Sequence, residues 1–177
     1  MSGAPAPESA PPTLADALRA VMRAVPQPVT VVTARHRGEA VGAVIGSFTS
    51  VSLDPPLFSF NLQSGSALRE AIEAGAPFAV HILAATQADL ALRFARPGTP
   101  HADRFGAHDT ADADGVPALP ALARLRGRCH ARISVGDHLL VIADVVSVEH
   151  TDGAAAALAY AHRAFGSVQA VVEDGSV

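Results

Sequence analysis

The sequence predicts a mainly β domain with flanking helices, an antiparallel barrel of about six strands, and three observations predict it. Short β-branched or alternating runs recur along the 177 residues, each bounded by Gly, Pro, Asp or Asn. The run ARLRGRCHARISV (123–135) alternates apolar with polar side chains, then passes through Gly136-Asp137 into HLLVIADVVSV (138–148), the pattern of one long hairpin. Only three segments carry a helical pattern, too few to supply the crossover that each parallel strand pair requires.

Taken in order, MSGAPAPESAPP (1–12) has neither a basic start nor an apolar stretch, so a disordered arm is expected before a domain of residues 13–168. Residues 169–177 are expected to form a tail. Thr13 followed by Asp16 resembles a capped start, and Leu14, Leu18, Val21, Met22 and Val25 then share one face, which predicts a helix over 14–24. Pro26 and Pro28 stop it. The β-branched run 29–33 predicts a buried strand, and further strands are expected at 40–45, 57–62 and 78–83. Between them, 66–74 carries a Ser66 cap with Gly75 past its end, and 86–95 carries a Thr86 cap and stops before Pro97-Gly98. In the long hairpin Leu125, Gly127, Cys129, Ala131, Ile133 and Val135 are expected to share the buried face, opposite a row of arginines and His130. The Gly- and Pro-rich stretch 101–117 reads as a surface loop able to cover a site.

With 49% hydrophobic and 17% charged residues the chain suits one globular domain, and it lacks an apolar run of membrane-spanning length. A net charge of −4 supplies no footprint for nucleic acid. The single cysteine, Cys129, excludes an internal disulfide and fits a reducing cytoplasm. The eight histidines form neither HxxxH nor HExxH, so no metal site is expected. GxGxxG, P-loop and GxSxG motifs are missing, so any nucleotide is held by other means.

The stretch GAVIGSFTSVSLDPPLFSFNLQSGSAL (42–68) is the most informative. Its hydroxyls at Ser47, Thr49, Ser50 and Ser52 alternate with Phe48 and Val51 and can offer donors to a ring with polar edges. Ser64-Gly65-Ser66 opens a helix and suits either an anion or a plain turn and cap. The arginine face of 124–132 reads as a solvated edge, or as a face meeting a partner subunit or a nucleotide phosphate.

SFTSVSLDPPL at 47–57 is similar to the signature segment of the flavin reductase family with the FMN-binding split-barrel fold. It is accompanied, in family order, by PVTVVTAR (28–35), FAVHILAATQADLALRFA (78–95), ADRF (102–105), GVPAL (115–119), GDHLLVIADV (136–145) and LAYAHRAF (158–165). The resemblance covers about 14–166 and is to the NAD(P)H:flavin oxidoreductase components of two-component flavin-dependent monooxygenases. It implies a six-stranded Greek-key split barrel and a homodimer with its site between subunits. It implies FMN or FAD as acceptor, NADH or NADPH as hydride donor, and a monooxygenase that receives reduced flavin. Thr30, Val31 and Val32, together with Ser47 through Ser52, would line the flavin ring and ribityl chain. Gln63, Ser64 and Ser66 would lie near the phosphate. His138, within GDH, would stand at the nicotinamide side as the catalytic residue, with Tyr160, His162, Arg163 and Phe165 closing that side. Three positions depart from the pattern: Gln27-Pro28 where Thr-Gly is common, Gly46 where a larger polar residue is common, and His81 where asparagine is usual. A flavin carrier or sensor on the same fold, or a flavoenzyme acting directly on an organic substrate, are the alternatives.

Overall fold

Thr13 opens helix α1 (Leu14–Met22) through a full capping box: its hydroxyl accepts the Asp16 N–H at 3.2 Å, and the Asp16 carboxylate accepts the Thr13 N–H at 3.1 Å. This computed structural model describes residues 13–106, 109–150 and 155–168, so the expected arm and tail lie outside the described residues. The helix ends at Met22, two residues early. Its apolar stripe is present but uncovered, with Leu14 88% and Val21 64% exposed.

The strands that follow are β1 (Gln27–Pro28), β2 (Thr30–His36), β3 (Glu39–Ile45), β4 (Thr49–Leu53) and β5 (Pro56–Gln63). After helix α2 (Ala67–Glu73) come β6 (Phe78–Ile82), helices α3 (Ala88–Ala95) and α4 (His101–Arg104), then β7 (Thr110–Ala111) and β8 (Pro117–Ala118). The long hairpin is β9 (Ala123–Val135) and β10 (His138–His150), and the described chain closes with β11 (Leu158–Ala161) and β12 (Ala164–Ser167). The main sheet runs β3-β2-β6-β9-β10-β5-β4, with antiparallel pairing throughout. The expected mainly β, antiparallel fold with flanking helices therefore holds. The sheet has seven strands, because the hydroxyl-rich segment forms β4 of its own.

That order dictates a barrel. β3 and β4 are the two edges of the sheet, yet only Gly46, Ser47 and Phe48 join them. Such a link reaches at most about 14 Å, whereas a flat sheet of this size would hold its edges about 29 Å apart. The sheet must curl until its edges meet, and at the seam Ser47 Oγ accepts the Asn61 N–H of β5 at 2.9 Å.

Inside the barrel Phe58, Phe60 and Phe78 pack at ring separations of 5.5–6.3 Å. Gly127 makes room for them: a Cβ there would lie 2.7 Å from Phe58 Cζ and 2.8 Å from Phe78 Cε2. Leu68, Ala71 and Ile72 of α2 join the same cluster. α2 starts from the expected Ser66 cap, whose hydroxyl accepts the Arg69 N–H at 3.2 Å. A second cluster outside the barrel gathers Val29, Val31, Leu83, Ala91, Phe94, Leu119 and Leu158. β2 is thus buried on both faces, which explains why its sequence is β-branched without alternation.

Two local expectations are corrected. A 3₁₀ turn (Ala85–Gln87) precedes α3, so Thr86 does not cap it; instead Gln87 Oε1 accepts the Ala84 N–H at 2.7 Å. In the long hairpin Ala131 pairs with Ile142 but Cys129 pairs with Ala143, which leaves His130 as an extra residue, a β-bulge. Beyond it the alternation changes phase. Leu125, Gly127 and Cys129 face the core as expected, but Ile133 and Val135 face outward, 48% and 57% exposed. Arg132, still exposed, takes the α2 side instead, and its Nη1 donates to the Glu73 carbonyl at the end of α2 at 2.6 Å.

The described residues of the stretch 101–117 are fastened to the barrel. Phe105 packs edge-on to Phe94 at 5.2 Å, Asp109 pairs with Arg93 at 2.9 Å, and Thr33 Oγ1 donates to the Pro117 carbonyl at 2.6 Å. Arg126 pairs with Asp112 and Asp114, and Arg124 with Glu149, so these arginines serve the fold and not a free anion site.

Candidate functional site

Residues directly opposite each other in an antiparallel pair project to the same face. The register sets His138 between Gln63 and Val135, Leu140 between Asn61 and Ile133, and Ile142 between Ser59 and Ala131, with Thr49 beyond Ser59. β4, β5, β10 and the outer half of β9 therefore make one outward surface. A polar lane of Thr49, Ser59, Asn61, Gln63 and His138 runs beside an apolar lane of Leu140, Ile142, Ile133 and Val135. The bulge at His130 creates the apolar lane, because without it Ile133 and Val135 would point into the barrel.

At one end of these lanes the Gly136-Asp137 turn is tied to the Ser64 turn. The Ser64 N–H and hydroxyl both donate to the Asp137 carbonyl, at 3.1 and 2.9 Å, and Arg69 Nη1 donates to Ser64 Oγ at 3.0 Å. His138 Nδ1 lies 2.7 Å from the Asp137 carboxylate. Since a carboxylate accepts, Nδ1 carries the proton and the ring orientation is set. The hydrogen bond from His138 and its charge hold the Asp137 carboxyl below the usual range, and Arg19 of α1 adds to this.

A cleft of about 440 Å³ lies where the C-terminal hairpin meets the barrel seam. Tyr160, Arg163 and Phe165 line it together with Gln27, Val44, Gly46, Leu92 and Ala95. The Tyr160 and Phe165 rings sit 5.2 Å apart. The hairpin turns through His162 and Arg163, both left-handed at φ 51° and 64°, and the His162 N–H donates to the Arg23 carbonyl at the end of α1.

The expected site residues therefore separate into groups. Gln63, Ser64 and His138 come together at the Gly136-Asp137 turn, and Tyr160, Arg163 and Phe165 in the cleft. Ser47, Thr49, Ser50 and Val51 are exposed at the seam and along β4, while Phe48 and Ser52 are half-buried. Phe48 lies 5.6 Å from Phe58, and Ser52 Oγ accepts the Asp54 N–H. The hydroxyls of Ser64 and Ser66 are engaged within the turn and the cap. Thr30, Val31 and Val32 are all 0% exposed and paired on both sides, so their side chains do not reach the open surface. Sequence reasoning did not find Gln27, Val44, Leu92 and Ala95 as cleft residues. Only the pairing of β1 with β11, which no local pattern announces, brings them to the hairpin.

His81, one of the departures, is fully buried beside β2. Its Nδ1 donates to the Val31 carbonyl at 3.0 Å while Nε2 has no partner among the described residues, and burial pushes the imidazole down to about 4. Burial raises the Cys129 thiol, in keeping with a packing role.

Among the described residues no helix is long and apolar enough to cross a membrane, and no group of three or more His, Cys, Asp and Glu could hold a metal ion. The chain is 38% identical over 127 residues to the "FMN reductase (NADH) SmoA" of Agrobacterium fabrum, covering 71% of each chain. Its fold matches the "NADH:FAD oxidoreductase SgcE6" of Streptomyces globisporus, with a TM-score of 0.80, 28% identity and 98% of each chain covered. It also matches the "Styrene Monooxygenase Flavin Reductase (SMOB)" of Pseudomonas putida S12, with a TM-score of 0.77 and 25% identity, over 88% of this chain and 99% of that one. The Flavin reductase like domain family matches residues 22–169. Barrel, seam, bulged hairpin and C-terminal cleft all fall inside that span, and the chain belongs to the Flavin reductase like domain family.

Proposed function

We propose that the protein is an NAD(P)H-dependent flavin reductase that moves a hydride from nicotinamide to FMN or FAD and supplies reduced flavin to a partner monooxygenase. The observation that carries this reading is the outward surface where a polar lane runs beside an apolar one, with His138 fixed at its end. A flat ring with one polar edge and one apolar edge needs such a pair of lanes, and the side chains of Asn61 and Gln63 are free to serve it, since neither makes a hydrogen bond among the described residues. The residues thus fit a flavin. When bound, the flavin supplies the electrophilic N5 that accepts hydride from C4 of the reduced nicotinamide.

The chain's own part is positioning. Ser47, Thr49 and Ser50, with the free backbone edge of β4, hold the polar edge of the ring and stabilise the charge that develops there. Gln63 and the Arg69 guanidinium hold the phosphate end, on the turn and cap that Ser64 and Ser66 fasten beside it. Asp137 keeps the His138 imidazole in one orientation, so that it packs against the nicotinamide and excludes water from the transfer. Tyr160, His162, Arg163 and Phe165 close that side. The apolar lane and the uncovered stripe of α1 support a homodimer, since surface of this kind marks an association face. The cytoplasm, where reduced nicotinamide is generated, is the compartment assigned.

The test is NADH and NADPH oxidation with FMN or FAD added, together with single-turnover bleaching of the flavin and a flavin titration. His138→Ala is expected to slow hydride transfer about tenfold while flavin affinity changes less than about threefold. No oxidation above the flavin-only background overturns the reductase reading, and collapse of affinity with a normal transfer rate overturns the role of His138. A monomeric mass by light scattering, in a preparation with full activity, overturns the homodimer.

A further inference from the structure

The side chain of Gln27 occupies the space above Gly46. A Cβ built on Gly46 would lie 2.3 Å from Gln27 Oε1 and 3.4 Å from its Cβ and Cδ. Nothing in the backbone demands glycine there, because the φ of Gly46 lies outside the left-handed region. What fills the space of a side chain there is the amide of Gln27, which a Cβ at 46 would push aside. β1 pairs with β11 so that Gln27 stands directly opposite Tyr160, and both line the 440 Å³ cleft. The other walls are chiefly apolar, among them Val44, Leu92, Ala95 and the Phe165 ring. In this setting the half-buried Gln27 amide makes no hydrogen bond within the described residues. A carboxamide has two donors and two acceptor sites, and those of Gln27 keep access to solvent and stand open to a ligand entering the cleft.

We propose that Gln27 is a specificity-determining residue, seated by the absence of a side chain at Gly46, whose carboxamide pairs with the amide edge of a planar ring in the cleft. Tyr160 and Phe165 supply the aromatic surface against which such a ring stacks, and Gln27 supplies the only side-chain amide among the described residues of the cleft wall, so it fixes the rotation of the ring in its plane. Under the proposed function two molecules carry this chemistry, the flavin through its pyrimidine edge and the reduced nicotinamide through its carboxamide. The inference rests on that reading for the choice between them. The steric coupling of Gln27 to Gly46 does not.

Flavin titration and the KM for NADH are measured for Q27A, Q27L, G46A and the Q27A/G46A pair. Two analogues accompany them: 3-methyl-FMN, which lacks the N3–H donor, and reduced 3-acetylpyridine adenine dinucleotide, which lacks the carboxamide NH2. Q27L preserves bulk and removes the amide, and it is expected to weaken one of the two ligands about fivefold. It should also abolish the wild-type preference for that ligand over its analogue. Loss confined to flavin binding identifies the pyrimidine edge, and loss confined to the NADH KM identifies the nicotinamide carboxamide. G46A, which displaces the Gln27 amide, is expected to reproduce the effect alone and to add nothing in the Q27A background. Unchanged affinity and unchanged analogue preference in Q27L overturn the proposal, as does G46A costing the same with and without Gln27. If wild-type protein oxidises no NADH, the reductase reading fails by itself, while the flavin titration still decides on Gln27.

Discussion

β2 and the segment 47–52 draw on the same set of hydroxyl and apolar side chains and use it in opposite directions. In β2, Thr30 Oγ1 donates to the Ile45 carbonyl at 2.7 Å and Thr33 Oγ1 to the Pro117 carbonyl at 2.6 Å, both from positions 0% exposed. At the seam and in β4, Thr49 and Ser50 are exposed, and the Ser50 hydroxyl has no partner among the described residues. The difference comes from position in the sheet. β2 has a strand on each side and a cluster on each face, so a hydroxyl there must be satisfied internally. β4 is an edge strand and can leave its hydroxyls for a ligand. A hydroxyl-rich run in a sequence does not distinguish these cases; the pairing partners do.

The histidines sharpen the comparison most, since His81 is enclosed beside β2 while His138 stands at the open face. Burial lowers the His81 imidazole from 6.5 to about 4, so between these values the unfolded chain takes up a proton that the folded chain refuses. Stability is therefore complete above about pH 6.5 and falls as the pH drops toward 4, by about 3 kcal/mol in all. Urea midpoints measured across this window should show a steep fall for wild type and a shallower one for His81→Asn. Equal slopes would break the assignment.

Next in size is Thr33→Val, which keeps the shape and leaves the buried Pro117 carbonyl without its donor, at a cost of about 2 kcal/mol. The denaturant midpoint should fall with its slope unchanged; an unaltered midpoint would show that the hydroxyl is dispensable. Ser50→Ala should reverse the pattern, with stability within about 0.5 kcal/mol of wild type and flavin bound about fivefold more weakly. Should Ser50→Ala destabilise the fold instead, the open hydroxyls would belong with the buried ones.

Local signals carried much of the fold. The Thr13 and Asp16 box, the Ser66 cap and the Gly136-Asp137 turn each consist of residues a few positions apart, and each stands where the sequence puts it. What was not legible depends on distant pairing. The C-terminal hairpin lay hidden because its turn uses His162 and Arg163, where left-handed geometry ordinarily announces itself through Asn or Gly. The resemblance implies Thr30 through Val32 at the flavin, and a motif in the sequence cannot show that β6 covers their other side. Gln27 and Gly46 stood out as two unrelated departures, and only the fold reveals them as one change, with the side chain missing from one position replaced by that of the other.

The bulge at His130 has a consequence for how relatives of this chain are compared. Ile133 and Val135 flank His138 because one residue too many lies between Cys129 and Ala131, and not because of their own chemistry. A relative could retain every residue and, pairing that one into a regular ladder, present Arg132 and Ser134 on the site face instead. In comparing members of the family, the presence or loss of the bulge near position 130 therefore outweighs a dozen substitutions in the same hairpin, and percentage identity, which does not register a bulge, is blind to the difference.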